Sequence, residues 1–261
     1  MISRLPLLKL ALILTALLAV AALSAGQDAG VSAPKRPYAR SGSEVTLSGT
    51  ISLTGKRPKA FKIDMSADPV CYEVNANPTT EWVVGHKGKL ANVFVYVKSE
   101  GLDAYSFEPP ASTAVIEHKG CRYVPHMLGM RTGQLLTVLN NDPTAHNTHP
   151  APKTNPDWNQ SQPPGGTPLT ISFKRGELFI PFKDNQHPWE RAYVGVFDHP
   201  FFAITDEFGN YRIEGLPPGQ YTVVAWHENF GEKTVEITFV AGEARDVSFT
   251  FDAERDSRGL K

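Results

Sequence analysis

The chain has 261 residues, with 26 Lys and Arg against 27 Asp and Glu and a formal charge of −1. That balance leaves no basic footprint for nucleic acid, and 41% hydrophobic residues exclude a wholly disordered chain. Gly and Pro number 21 each, punctuation that favours short strands over long helices, and two cysteines cannot build a disulfide-rich scaffold or a four-thiolate zinc site.

Residues 1–25 read as a secretory signal. Arg4 and Lys9 supply the positive start, "ALILTALLAVAAL" (11–23) the apolar run, and Ala22-Leu23-Ser24-Ala25 the small residues of a cleavage site. The run is short of the ~20 residues a membrane span needs. The expectation is a cleaved signal, no transmembrane segment after its removal, and a periplasmic or secreted protein. Export permits disulfides, so Cys71 and Cys121 are expected to bridge, the alternative being two free thiols. A loop of that length contributes ~3–4 kcal/mol on the chain-entropy model.

Residues 26–43 are small, polar and proline-bearing and read as a flexible leader. Strand patterns follow at 44–55, 92–98, 134–140, 168–174, 177–182 and 191–197. In "NVFVYVK", Val93, Val95 and Val97 share one face while Phe94 and Tyr96 share the other. The longest loop is 141–167. From about 199 the texture changes, with "DEFGN" and "PPG" as turns between strands and Val235, Ile237 and Phe239 alternating. The fold class is all-β. It divides into a first domain over 44–198, a small β-sandwich over 199–252 and a frayed tail over 253–261.

His146 and His149 lie in "NNDPTAHNTH" and His187 in "DNQHPWE", each close to a strand end. Histidines so placed can meet at one end of a β-sandwich or barrel. Together with "HPWERAYVGVFDHPFFAITD" and "GLPPGQYTVVAWHE", these segments resemble a bacterial family of exported plastocyanin-like (cupredoxin) proteins. In that family a carboxypeptidase-regulatory-like sandwich follows the cupredoxin unit. The resemblance implies a Greek-key barrel followed by a prealbumin-like sandwich, over roughly residues 44–251.

It also implies a copper site in which His146 and His187 are the two histidines. The family pattern places Cys three residues before the second histidine and Met three after it; here Asp184 and Glu190 stand there. A type-1 centre needs the thiolate. Asp184, Glu190, His146 and His187, with His149 as a further candidate, make instead an oxygen and nitrogen set for a divalent ion such as copper or zinc. A site that has lost its metal altogether is the other reading. No nucleophile elbow, P-loop or dinucleotide fingerprint appears, so no enzyme activity is expected. A rival function comes from 199–251, which also resembles accessory sandwiches of polysaccharide lyases and implies a cell-surface glycan as ligand. Trp226 is its natural probe, while Trp158 is read as a core anchor of its loop.

Overall fold

A computed structural model describes residues 34–60, 62–76, 78 and 85–256 of the chain. The expected signal lies outside the described residues. Among the described residues no helix is long and apolar enough to cross a membrane.

The chain enters through β1 (Arg36–Pro37) and β2 (Val45–Thr54), then the short helix α1 (Pro69–Val74) and β3 (Phe94–Lys98). One 3-10 turn leads to β4 (Tyr105–Ser106). Next come β5 (Ala114–His118), β6 (Tyr123–Val124), β7 (Met127–Arg131), β8 (Leu135–Asn140) and β9 (His146–Pro150). They are followed by β10 (Gln160–Gln162), β11 (Leu169–Ser172), β12 (Glu177–Lys183) and β13 (Arg191–Phe197). The chain finishes with β14 (Phe202–Ile204), β15 (Asn210–Leu216), β16 (Gly219–His227), β17 (Gly231–Phe239), β18 (Ala244–Asp246) and β19 (Phe249–Asp252).

Strands β5 to β13 form one sandwich, a sheet of order β10-β9-β12-β13-β7 and one of order β11-β8-β5-β6. Ile116, Leu136 and Val138 from one sheet meet Ile180, Phe182, Val194 and Val196 from the other in a single core. No strand pair joins these sheets among the described residues, so the expected barrel is an open sandwich. Between β6 and β7 the chain changes sheets at Pro125, which has no amide proton to extend a ladder.

The second sandwich pairs a sheet of order β14-β3-β16-β17 with one of order β15-β2-β18, to which β19 adds through β2. The expected division at 198/199 therefore gives way to an insertion: β2 and β3 precede the first sandwich in sequence but belong to the second. For β3 the cause is burial on both faces; for β2 it is pairing with β15, β18 and β19. β16 carries Val223 and Ala225 opposite Val97 and Val95 of β3, and all four share a core with Leu47, Ile51 and Phe251. The other face of β3 carries Phe94 and Tyr96, which pack with Met127, Phe197 and Val224 between the sandwiches. Trp226 stacks on Phe179 there, ring centroids 3.8 Å apart. Gly129 sits under the ring of Phe202, where a Cβ would meet ring carbon at 2.4 Å.

Three shorter expectations also change. Part of the leader is ordered: Arg36 and Pro37 pair with Tyr105 and Ser106, and the Tyr38 hydroxyl donates to the Gly215 carbonyl at 2.9 Å. The start of the tail is folded, with Ala253 buried and Asp256 taking the Asp252 amide and the Lys233 ammonium. The loop 141–167 contains β9 and β10. "HNTHP" has no apolar alternation; it is a strand because β10 and β12 supply its partners on either side.

The same loop is latched by Glu177. Its carboxylate accepts from the amides of Lys153, Thr154 and Asn155, the Thr154 hydroxyl and the Asn155 side-chain amide. Burial pushes its pKa up, but these donors prevail and hold it down to about 2. Glu177→Gln turns an amide toward the donors and should cost about 2 kcal/mol. Denaturant unfolding with hydrogen exchange over 151–157 checks this; unchanged exchange there would refute the latch.

His227 ends β16 inside the second core, fully buried, with Nδ1 accepting the Asn229 amide and Nε2 lacking a hydrogen-bond partner. Burial, with a smaller contribution from His126, pushes its pKa down to about 3. The unfolded chain therefore takes up a proton below about pH 6.5 that the folded chain refuses, and stability falls as pH falls. Between pH 7 and 4 the loss specific to this ring is about 3 kcal/mol. Wild type should lose that much more than His227→Gln in matched denaturant titrations, and parallel losses would contradict the assignment.

Candidate metal centre

Three adjacent segments at one end of the first sandwich carry the candidate residues. β9 begins at His146, β12 ends just before Asp184, and β13 begins just after Glu190. Asp184 shapes the connecting turn by accepting the amides of Gln186 at 2.7 Å and His187 at 3.0 Å. The Glu190 amide donates to the His187 carbonyl, closing the turn before β13. Residues 184, 187 and 190 thereby face one point.

At that point His146 Nδ1 lies 3.0 Å from Asp184 Oδ2 and 2.8 Å from Glu190 Oε1. His187 Nδ1 lies 3.2 Å from Asp184 Oδ2 and 3.9 Å from Glu190 Oε1. Four ligands held tetrahedrally at 2.0–2.1 Å stand about 3.3–3.4 Å apart, and these four of the six edges of such a shell lie around that value. All four residues are buried. Glu190 Oε1 forms an ion pair with His146 Nδ1, whose hydrogen bond on that side goes to Asp184.

Behind each ring stands a second carboxylate. His146 Nε2 meets Asp142 Oδ2 at 3.1 Å, and His187 Nε2 meets Asp68 Oδ2 at 3.0 Å. Such carboxylate–histidine pairs place the ring proton on Nε2 and leave Nδ1 for an ion. Asp142 also accepts the amides of Gly120 and Cys121. Asp68 caps α1 by accepting the amides of Val70 and Cys71. With no ion bound the carboxylates hold protons on the rings. Burial lowers the His146 pKa, but Asp142, Asp184 and Glu190 push it up to about 11; His187 is raised by Asp184 and Asp68 against burial. Burial pushes Asp184 up, yet the bonds from both rings and the Asn147 and His187 amides hold it well below the usual carboxylate range.

His118 is the member the sequence did not single out. Its ring stacks on His146, centroids 4.4 Å apart, with Nδ1 2.8 Å from Glu190 Oε2 and Nε2 2.9 Å from Thr148 Oγ1. His118, His146, Asp184 and Glu190 form a four-residue group, ligand atoms all within 4.8 Å of one another, and His187 groups instead with Asp68 and Cys71. With Oε2 committed to His118, Oε1 is left facing the centre. His149, by contrast, turns outward to Asn185 and Asp157 and stands apart from this group. His126 bonds the Arg191 carbonyl and Glu228, and Met127 is buried between the sandwiches, so neither lines this end.

The cysteines form a disulfide, Cα atoms 5.6 Å apart. Neither can serve a type-1 copper centre, and with Asp184 and Glu190 in the expected thiolate and thioether places the residues do not fit one. They do fit a divalent ion held by nitrogen and oxygen. In the second sandwich the Trp226 ring lies against Phe179 rather than open to a sugar, and Trp158 packs on the first core.

A family model for the carboxypeptidase regulatory-like domain matches residues 183–252. The match omits β2 and β3, which complete the same sheets. Among solved structures, a purple cupredoxin from Nitrosopumilus maritimus is 20% identical, with a TM-score of 0.28, over 32% of this chain and 99% of that one. An amicyanin variant with Cu(I) is 17% identical, with a TM-score of 0.30, over 40% of this chain and 98% of that one. The chain carries a carboxypeptidase regulatory-like domain. A copper nitrite reductase from Thermus scotoductus SA-01 is 14% identical, with a TM-score of 0.31, over 35% of this chain but only 26% of its own. Among curated protein sequences nothing matches the chain.

Proposed function

We propose that this chain is an exported, non-catalytic metal-holding protein. Its cupredoxin-like sandwich binds one divalent ion through His146, His187, Asp184 and Glu190, for storage or delivery rather than type-1 electron transfer. The observation that carries this reading is the convergence of buried imidazole and carboxylate groups, with His146 Nδ1 3.0 Å from Asp184 Oδ2 and 2.8 Å from Glu190 Oε1. Nitrogen and oxygen donors gathered at one buried point suit a divalent ion. Zinc fits the four-sided nitrogen and oxygen set, and Cu(II) competes through its higher intrinsic affinity. When bound, the ion supplies positive charge in a closed shell. Four protein donors leave a tetrahedral ion no open position, which supports holding over catalysis. The disulfide and the signal-like start of the chain support an oxidising, exported location.

Calorimetric titration of Zn(II) and Cu(II) into the mature, metal-stripped protein tests the proposal. One ion per chain should bind tighter than ~10 μM, about −7 kcal/mol. Absence of saturable binding for both ions would overturn it.

A further inference from the structure

The disulfide lies behind the same two histidines. Asp68, Cys71 and His187 offer three ligand atoms within 4.8 Å of one another, and Cys121, Asp142 and His146 offer another three. Asp68 and Asp142 are the carboxylates that His187 and His146 address through Nε2. Each sulfur therefore shares a group with the carboxylate on the Nε2 side of its ring, while Asp184 and Glu190 hold the Nδ1 side. Both cysteines are fully buried, in a small cluster with Met65, Ile63 and Trp189. In the bridged state neither sulfur can give an ion a thiolate.

We propose that the reduced chain carries a second, thiolate-rich metal centre here. Its ligands are Cys71 and Cys121 Sγ with the Nε2 atoms of His146 and His187, a set suited to a soft or borderline ion such as Cu(I) or Zn(II). A dithiol gives two electrons to the bridge and becomes a disulfide itself. The S–S bond breaks, two protons pass to the cysteine sulfurs, and these protons leave to water as the ion binds. With Cα atoms 5.6 Å apart, rotation about the cysteine side-chain bonds can part the sulfurs around a common ion.

The two centres exclude each other. A neutral imidazole has one lone pair and one N–H. A ring that gives Nε2 to the thiolate centre must carry its proton on Nδ1, where Asp184 and Glu190 accept it. A ring that gives Nδ1 to the outer pair carries its proton on Nε2, facing Asp68 or Asp142. One ion is held per chain, and the thiol state selects between a hard and a soft ligand set. This goes beyond the oxygen and nitrogen reading, because the thiolates carry it rather than Asp184 and Glu190.

Co(II) is the probe, titrated into the full mature chain, either bridged or reduced with a dithiol and then freed of it under argon. The reduced protein should bind one Co(II) with cobalt–thiolate charge transfer, at least about tenfold tighter than Cys71→Ser/Cys121→Ser. The bridged protein should show no such band. Asp184→Ala/Glu190→Ala, reduced, should keep it. Failure of the bridged protein alone to bind counts against the hard-ligand reading and leaves this one standing. A folded, reduced chain without the thiolate band, or one binding two ions at once, overturns the proposal. Should reduction unfold the chain, Cys71→Ala frees Cys121 without reductant. That variant should give a single-thiolate band with Asp142 and His146, and its absence in folded protein is equally decisive.

Discussion

Asp184→Asn is expected to weaken Zn(II) binding by at least about a hundredfold, because it removes an anionic donor rather than an outer-sphere partner, whose loss alone costs 10–100-fold. The same change should destabilise the metal-free protein by about 3 kcal/mol. Asp184 accepts from both rings and from the Asn147, Gln186 and His187 amides while fully buried. An asparagine of the same shape retains one acceptor oxygen and turns an amide group toward a donor. Calorimetry and denaturant unfolding of the stripped protein read the two effects separately. A variant with wild-type zinc affinity would remove Asp184 from the ligand set, whatever its stability.

The second large effect is a gain. Asp184→Cys with Glu190→Met places sulfur at the two positions where the family pattern has it, opposite rings whose Nδ1 atoms already face that point. Asp142 and Asp68 still hold the Nε2 protons. Cu(II) should then give an intense visible copper–thiolate band that wild type lacks. Adding His146→Ala or His187→Ala should abolish it. Because the native bridge occupies both other cysteines, the colour can come only from the new sulfur. A folded double variant that stays colourless would mean that the turn 184–190 does not present its side chains as a metal loop.

Much of this was legible in the sequence, for identifiable reasons. Alternation in "NVFVYVK" gave β3 its two apolar faces, because a strand buried on both sides must be apolar at every position. Two cysteines permit only one intrachain pairing. Asp184 and Glu190 came from the resemblance, whose pattern puts Cys and Met three residues either side of His187. What escaped depended on distance along the chain. His118 meets Glu190 across 72 residues, and nothing in "VIEHKG" announces a buried partner. Nothing in "DPVCYE" announces Asp68 as a partner, and its bond to His187 spans 119 residues. The domain boundary failed for the same reason. β2 alternates like any half-buried strand, and only its pairing with β15, β18 and β19, far downstream, assigns it to the second sandwich.

The central claim is a divalent ion held by nitrogen and oxygen alone in the bridged protein. X-ray absorption at the zinc edge of the zinc-loaded, oxidised chain addresses it most directly. The account predicts four nitrogen or oxygen neighbours at about 2.0–2.1 Å, including the outer-ring scattering of two imidazoles. A sulfur neighbour at about 2.3 Å in the oxidised chain, or a shell of water with no imidazole, would contradict it.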